Sequence, residues 1–297
     1  MSFSTEVKNE LCGISMNRAC CTRAQPYGAL LHASVFSHRE IRLSAENAVV
    51  VRRLQALLQR AFFVESEAEK CGRKQQIVID DASRIGRIFD ALGYDRKSHI
   101  TYHLNRNVME EDCCIASFLR GAFLMAGTVA GPDKKSHLEL KSTHQSLVGE
   151  ETSLMLDLGL SPKQAKRANA LLLYFKDGAS VEDFLTRIGA PHAAMELMQA
   201  KVEKNLRNTI NRQVNCETAN LVKAADASAR QIAAIQSVLK GGGEDAFPES
   251  LRETVRLRLR YPTDSLTELA RRFDPPISKP GLSHRLKKIT EFAAKEN

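Results

Sequence analysis

The sequence has no segment that could span a membrane or direct export. No apolar run approaches the roughly 20 residues that a bilayer-spanning helix needs. The first residues, MSFSTEVKNELCG, contain no apolar stretch of the kind found in a secretory signal. The seven cysteines are an odd number without an export signal, so reduced thiols are expected instead of a disulfide framework. These absences predict a cytoplasmic protein with no membrane partner.

Signatures of nucleotide and zinc binding are also missing. The chain has no GxxxxGK[ST] loop that could hold phosphates and no Cys-x-x-Cys spacing. The glycine-rich stretch KGGGEDAFP (240–248) has no following Lys-Ser or Lys-Thr pair, and it predicts a linker. We therefore expect no cofactor.

The chain does have a large apolar content and a surplus of positive charge. Of its 297 residues, 43% are hydrophobic and 26% are charged, which predicts one large or two ordinary globular domains. The formal net charge of +8 favours an anionic partner, and double-stranded DNA is the first candidate.

The hydrophobic periodicity predicts an α+β fold. Helices and strands alternate over the first two thirds of the chain, whereas the last third contains no convincing strand. We expect a first domain over 1–205, connecting helices and a linker over 206–248, and a helical second domain over 249–297. The strands are expected at 39–45, 74–80, 137–142 and 168–175. The helices are expected at 25–35, 46–62, 83–93, 112–127, 145–159, 180–189, 192–212, 216–239, 249–260, 265–273 and 279–295.

An internal repeat links the two halves of the first domain. CCTRAQPYGALL (20–31) and CCIASFLRGAFL (113–124) both place a cysteine pair seven residues before a glycine, Gly28 or Gly121. Similar alternations of helix and strand follow each copy, which predicts a duplication over about 20–95 and 112–190 with pseudo-twofold symmetry. Coincidence between short alternating elements is the alternative.

Small residues within these two helices predict a close approach of their backbones at the pseudo-twofold axis. They are Gly28 in the first copy and Gly121, Ala126 and Gly127 in the second. The arrangement resembles the LAGLIDADG homing-endonuclease fold. In that fold two such helices form the central interface, and a carboxylate near each helix end binds a divalent metal for DNA cleavage.

The resemblance covers the packing glycines and not the acids. The helix pattern of that fold has two acidic positions. Leu31 and Leu124 stand at the first and Ala33 and Ala126 at the second, and none of these side chains can ligate Mg²⁺. The neighbouring His32 does not occupy a ligand position, and we expect it to be an ordinary surface or core histidine. No catalytic residue and no metal ligand is therefore expected, and a residual metal-dependent endonuclease remains the enzymatic alternative.

The carboxyl-terminal stretch SLTELARRFDPPISKPGLSHRLKKI (265–289) predicts a helix-turn-helix. Leu282, Leu286 and Ile289 form an apolar stripe, and polar side chains fall largely on the other face. Between 251 and 297, eleven Lys and Arg residues against six acids give +5 of the chain's +8. The expected DNA-binding residues are Arg271, Arg272, Lys279, Ser283, His284, Arg285, Lys287 and Lys288. A helical hairpin with a solvated basic face is the alternative.

A second polar group recurs at helical spacing before Cys216. It predicts a polar helix face that contacts the DNA backbone or the other domain. A solvated helix end is the alternative. Its members are Arg207, Asn208, Asn211, Arg212 and Asn215.

Together these segments resemble the WhiA family of bacterial regulators. The matching pieces are MSFSTEVKNEL, CCTRA (20–24), FLRGAFLMAG (118–127), HLEL (137–140), RNTINRQVNCETANLVK (207–223) and LRETVRLRLRYPTDSLTELARRF…ISKPGLSHRLKKI (251–289). The resemblance implies a degenerate LAGLIDADG domain joined to a helix-turn-helix, and nucleoid-associated DNA binding without cleavage. It also implies roles in cell division, chromosome segregation or sporulation. An adaptor that recruits a protein partner through its first domain is a third interpretation.

The sequence favours neither strong DNA binding nor zinc binding by the first domain. Acids within its strands, such as Glu40 and Glu139, would repel phosphate, so a small contribution to DNA affinity is expected. The paired cysteines are expected to be structural thiols without zinc, because adjacent cysteines on one chain should point in different directions. These cysteines are Cys20, Cys21, Cys113 and Cys114.

Overall fold

The chain forms two compact units, Met1–Lys204 and Asn205–Asn297. The computed structural model describes residues 1–95, 103–168 and 170–296. The first unit combines helices with two β-sheets and the second is helical, so the α+β class is confirmed. The three-part division at 205 and 248 stays a prediction. Within the described part of the chain, no helix is long and apolar enough to cross a bilayer.

The first unit contains seven complete α-helices and eight strands among its described residues. The helices are α1 (Phe3–Cys12), α2 (Ala19–Leu31), α3 (Ala48–Phe62), α4 (Ala82–Leu92), α5 (Asp112–Ala126), α6 (Gln145–Asp157) and α7 (Gly178–Ile188). The strands are β1 (Val35–Phe36), β2 (Ile41–Ala45), β3 (Ala68–Cys71), β4 (Lys74–Ile79), β5 (Gly127–Val129), β6 (Leu138–Ser142), β7 (Lys163–Arg167) and β8 (Ala170–Phe175). Helix α1 and the four strands β1, β3, β5 and β7 were not predicted from the sequence, and α2 begins six residues before its predicted start.

The two sheets show the duplication directly. Their strand orders are β1-β2-β4-β3 and β5-β6-β8-β7, and all their neighbours are antiparallel. Apolar residues pair at equivalent places, since Leu43 lies opposite Ile77 and Leu140 lies opposite Leu173. Each half runs helix, two strands, helix, two strands, helix, so the predicted internal repeat is confirmed as a repeat of structure.

Helices α2 and α5 pack against each other through backbone contact. A Cβ atom on Gly28 would lie 2.0 Å from the carbonyl oxygen of Phe118, and one on Gly121 would lie 1.9 Å from that of Gln25. Real Cβ atoms do not come so close, so the contact requires glycine on both helices. Large side chains surround it, including Tyr27 and Phe118, whose ring centroids lie 5.5 Å apart.

The end of α5 differs from the expected packing. A Cβ on Gly127, the first residue of β5, would meet the ring of Phe123 in α5 at 2.2 Å, and its three nearest atoms all belong to that residue. The small size of Gly127 therefore accommodates Phe123 and not α2, which corrects its assignment to the axis. Ala126 is half-buried at the last position of α5.

The second unit has one apolar core built from the last part of α8 (Pro191–Gly242) and from α9 (Glu249–Arg260), α10 (Leu266–Arg271) and α11 (Lys279–Glu296). The predicted break in α8 after residue 212 was wrong. Asparagine lowers helix propensity by less than about 1 kcal/mol per residue, so the segment rich in Asn continues the helix. The glycine-rich stretch ends it, and Gly243 has φ +70° before the short 3-10 helix Glu244–Ala246.

Candidate nucleic-acid interface

Helices α10 and α11 form the predicted helix-turn-helix through an apolar contact. Leu269 and Phe273 on one side meet Leu282, Leu286 and Ile289 on the other, and all five are buried. Each of these side chains contributes roughly 1.5–3 kcal/mol when removed from water. The apolar stripe of α11 therefore fixes which face of the helix points away from the core.

Side-chain caps set where both helices begin. The backbone N–H of Glu268 bonds Ser265 Oγ at 3.3 Å, and the N–H of Ser265 bonds Glu268 Oε2 at 2.9 Å, which makes a complete capping box. The hydrogen bond from the backbone of Ser265 lowers the pKa of Glu268. At the second helix, the N–H of Gly281 bonds Ser278 Oγ at 3.2 Å, so Ser278 caps this helix.

The face of α11 opposite the apolar stripe carries exposed donors. These are Lys279, Ser283, His284, Lys287 and Lys288. Arg285 is half-buried, with its guanidinium carbon 5.4 Å from the centroid of the Phe273 ring. The surface that could meet a phosphate backbone is thus formed by short polar groups and lysines along one helix.

The two arginines at the end of α10 have different surroundings. Arg272 Nε lies 3.1 Å from Asp264 Oδ2, and its guanidinium lies 4.0 Å from the centroid of the Tyr261 ring. Both side chains are exposed, but these contacts orient Arg272 within the unit. Arg271 therefore has the greater freedom to meet phosphate.

The polar group on α8 lies on a fully exposed part of that helix. Arg207, Asn208, Asn211, Arg212 and Asn215 are all exposed. They share no side-chain cluster that would define a site among the described residues, and their role stays a prediction.

The positions that hold acids in a LAGLIDADG nuclease are apolar and packed here. Leu31 and Leu124 are 2% and 1% exposed, and Ala33 and Ala126 are half-buried. Among the described residues, the one group of three or more potential metal ligands is a set of cysteines and not of carboxylates. The arrangement thus lacks the oxygen ligands that phosphodiester cleavage with Mg²⁺ uses.

His32 belongs to a buried ion pair. Its Nε2 lies 2.7 Å from Glu151 Oε1, and both side chains are at most 2% exposed. Burial lowers the pKa of His32, but the Glu151 carboxylate and a hydrogen bond to the backbone of Lys141 outweigh it and raise the pKa overall. The pair links the end of α2 to α6, so His32 is a core histidine, which is one of the two expected outcomes.

Glu139 in β6 and Glu40 just before β2 each contact a neighbouring basic side chain. His137 Nε2 lies 3.1 Å from Glu139 Oε2, and Arg42 pairs with Glu40. These strands therefore present no continuous cationic surface at these positions, in keeping with the expected small contribution to DNA affinity.

Comparison with known proteins places both units in one family. A family model described as the WhiA C-terminal HTH domain matches residues 210–293, and one described as the WhiA LAGLIDADG-like domain matches residues 115–207. The chain is 35% identical to the probable cell division protein WhiA of Ruminiclostridium cellulolyticum, over 99% of this chain and 97% of that one. It is equally similar to the protein of that name from Alkaliphilus metalliredigens, over 100% and 98%.

A solved structure shares the fold over the full length. The crystal structure of full-length WhiA from Thermotoga maritima matches with a TM-score of 0.61 and 24% identity, covering 99% of each chain. The LAGLIDADG-like fold of the first unit and the helix-turn-helix of the second are thereby confirmed. With relatives at 35% identity over nearly its whole length, this chain belongs to the WhiA family.

Proposed function

We propose that the chain is a non-enzymatic regulator that binds double-stranded DNA through the exposed face of α11. The observation that carries the proposal is the division of this helix. Its apolar stripe is buried against α10, and its lysines and short polar groups are exposed on the other side. A recognition helix needs this division to enter the major groove.

The names of the relatives support a role in bacterial cell division. We propose transcriptional regulation as the mode of action, with chromosome segregation or sporulation as further processes under its control. A cytoplasmic, nucleoid-associated location follows from the proposed DNA partner.

The lysines Lys287 and Lys288 provide the direct test. In the Lys287→Ala/Lys288→Ala variant of the full-length protein, binding to every duplex should weaken. The slope of log affinity against log salt should fall by about one to two units, because each phosphate contact accounts for about 0.9 of the slope. Fluorescence anisotropy of a labelled duplex at several salt concentrations measures both quantities.

The chain offers a matched control in another lysine pair. Lys134 and Lys135 are adjacent and exposed in the first unit, so their double alanine variant removes the same charge. It should leave the salt slope nearly unchanged. Equal effects in both variants would show that net charge, and not α11, drives the binding.

Base reading is expected from the short polar side chains of α11. Ser283→Ala and His284→Ala should each reduce the preference for a specific site by about 1–3 kcal/mol, which is the energy of one good base contact. Nonspecific affinity should change little. Competition between specific and random duplexes measures this ratio. A drop confined to nonspecific affinity would assign these side chains to the phosphate backbone.

The proposed absence of nuclease activity is tested with supercoiled plasmid. The purified protein should produce no nicked form in Mg²⁺ or Mn²⁺ above the level of a mock purification. Nicking that depends on the metal and follows the protein through chromatography would overturn this part of the proposal.

A further inference from the structure

Four thiols converge where α2 and α5 begin. The duplication places the cysteine pairs at the second and third positions of each helix, Cys20 and Cys21 in α2 and Cys113 and Cys114 in α5. The two helices touch at Gly28 and Gly121, seven residues further along. At a rise of 1.5 Å per residue, this contact lies only about 10 Å from the cysteines. Close packing of the glycines thus holds the two cysteine pairs together.

The thiols are close enough for all four to reach one ion. The four Sγ atoms lie within 4.8 Å of one another, and those of Cys20 and Cys21 are 3.9 Å apart. Zn–S bonds of about 2.3 Å in a regular tetrahedron place the sulfurs about 3.8 Å apart. The sulfurs therefore need to approach by no more than about 1 Å to enclose zinc.

This geometry differs from the expected divergence of adjacent cysteines. Their position in the first turn explains the difference, because no preceding helical turn restricts the rotation of their side chains about χ1. The second pair of ligands comes from the other helix, so sequence spacing alone does not show the cluster. The remaining cysteines, Cys12, Cys71 and Cys216, lie outside it.

The surroundings suit an anionic metal–thiolate centre. A divalent ion bound by four thiolates has a net charge of −2, and two helix N-termini face it with their positive ends. The side chains of Arg18 and Ser117 also lie beside Cys21 and Cys113, around the same cleft. Such outer contacts orient metal ligands and offset their charge.

We propose that Cys20, Cys21, Cys113 and Cys114 form a four-thiolate site for Zn²⁺ that ties the beginnings of α2 and α5 together. Four protein ligands leave no open coordination position, so the site is structural and not catalytic. Iron–sulfur clusters attach their cysteines to separate iron atoms, whereas four sulfurs within 4.8 Å suit a single ion.

Elemental analysis of the full-length protein tests the site directly. Protein purified without chelators or metal-affinity resin should carry about one zinc per chain, as a closed four-cysteine site requires. The Cys20→Ser variant, which changes an exposed ligand, should lose most of this zinc. The control variant Cys71→Ser/Cys216→Ser changes two exposed cysteines outside the cluster and should retain it.

A metal-replacement experiment keeps the test independent of how well variants fold. The wild-type protein is stripped of metal under reducing conditions and titrated with Co²⁺ alone. It should gain the visible bands of tetrahedral cobalt and a near-ultraviolet thiolate charge-transfer band, both saturating at about one Co²⁺ per chain. Added Zn²⁺ should displace them, and the zinc form should melt at a higher temperature than the stripped protein.

Three results would overturn the proposal. The first is the absence of stoichiometric zinc together with failure of the stripped protein to bind Co²⁺. The second is stoichiometric iron in place of zinc. The third is an intact mass from freshly purified protein that shows disulfide bonds among these four cysteines.

Discussion

Replacing Gly121 with alanine should separate the two central helices and destabilise the first unit. The new Cβ would lie 1.9 Å from the carbonyl oxygen of Gln25, whereas real Cβ contacts stay above 3.0 Å. The carbonyl belongs to the backbone of α2, so it cannot rotate away as a side chain could. The helices must therefore move apart by about 1.1 Å at this point, the difference between the two distances.

The magnitude follows from the packing that this movement weakens. A gap of 0.5–1 Å forfeits roughly a quarter to a half of the dispersion energy, and one buried side chain makes about 50 contacts of about 0.15 kcal/mol each. The loss for one side chain facing the gap is therefore about 2–4 kcal/mol. Alanine recovers about 1 kcal/mol through its higher helix propensity, which leaves a net loss of about 1–3 kcal/mol.

Gly149 provides the matched control for this measurement. It lies within helix α6, is exposed, and an added Cβ would meet no atom within 4 Å. Gly149→Ala should therefore raise stability by up to about 1 kcal/mol, because only the propensity term acts. The same substitution is thus predicted to change stability in opposite directions at the two glycines.

Urea denaturation of the full-length variants, followed by far-ultraviolet circular dichroism, measures the two changes. Hydrogen exchange of peptides from α2 and α5 shows whether the loss is confined to the first unit. Gly28→Ala should reproduce the loss, since its Cβ would lie 2.0 Å from Phe118 O. If Gly121→Ala changes the free energy of unfolding by less than about 0.5 kcal/mol, within the range of surface substitutions, the close packing of α2 and α5 is refuted.

Three further predictions concern other parts of the chain. The raised pKa of His32 means that its ion pair with Glu151 stabilises fully below pH 6.5, and that this contribution is lost as the pH rises through the folded-state value. The free energy of unfolding should therefore differ less between about pH 6 and about pH 9 in His32→Gln than in the wild type, as denaturation at the two pH values can show. Ser265→Ala should destabilise the second unit by about 1 kcal/mol through loss of the capping box, whereas Thr263→Ala should not, as calorimetry can show. Ala126→Asp should create no plasmid-nicking activity, because one carboxylate opposite Ala33 does not complete a metal site.

Elements with strong periodicity could be predicted from the sequence, and those without it could not. Strands β2, β4, β6 and β8 are rich in β-branched or leucine side chains and were expected at nearly the observed positions. Strands β3 (AEKC) and β7 (KQAKR) are largely exposed and charged, so they carry no apolar alternation. They form because β4 and β8 each offer a free edge, which is information about the sheet and not about the segment.

The candidate DNA interface could also be predicted from the sequence, because it depends on a periodic pattern within one helix. The apolar stripe of α11 is local, so the sequence shows which face is buried and which donors are left exposed. Contacts between segments that are distant in the sequence could not be predicted in this way. The pairing of Arg272 with Asp264, the partner of His32 and the meeting of the two cysteine pairs all depend on how elements pack. For the cysteines, the equal distance from each pair to its glycine was the available signal.

The glycines between α2 and α5 and the absence of acids there have different physical causes. Glycine at 28 and 121 is required by the distance between two backbones, whatever the protein does with DNA. Two carboxylates at the facing helix ends would repel each other unless a cation lay between them. Leu31 and Leu124 remove that repulsion and are almost completely buried. A chain that we propose binds DNA through a separate helix can therefore keep the α2–α5 interface of this fold without the acids.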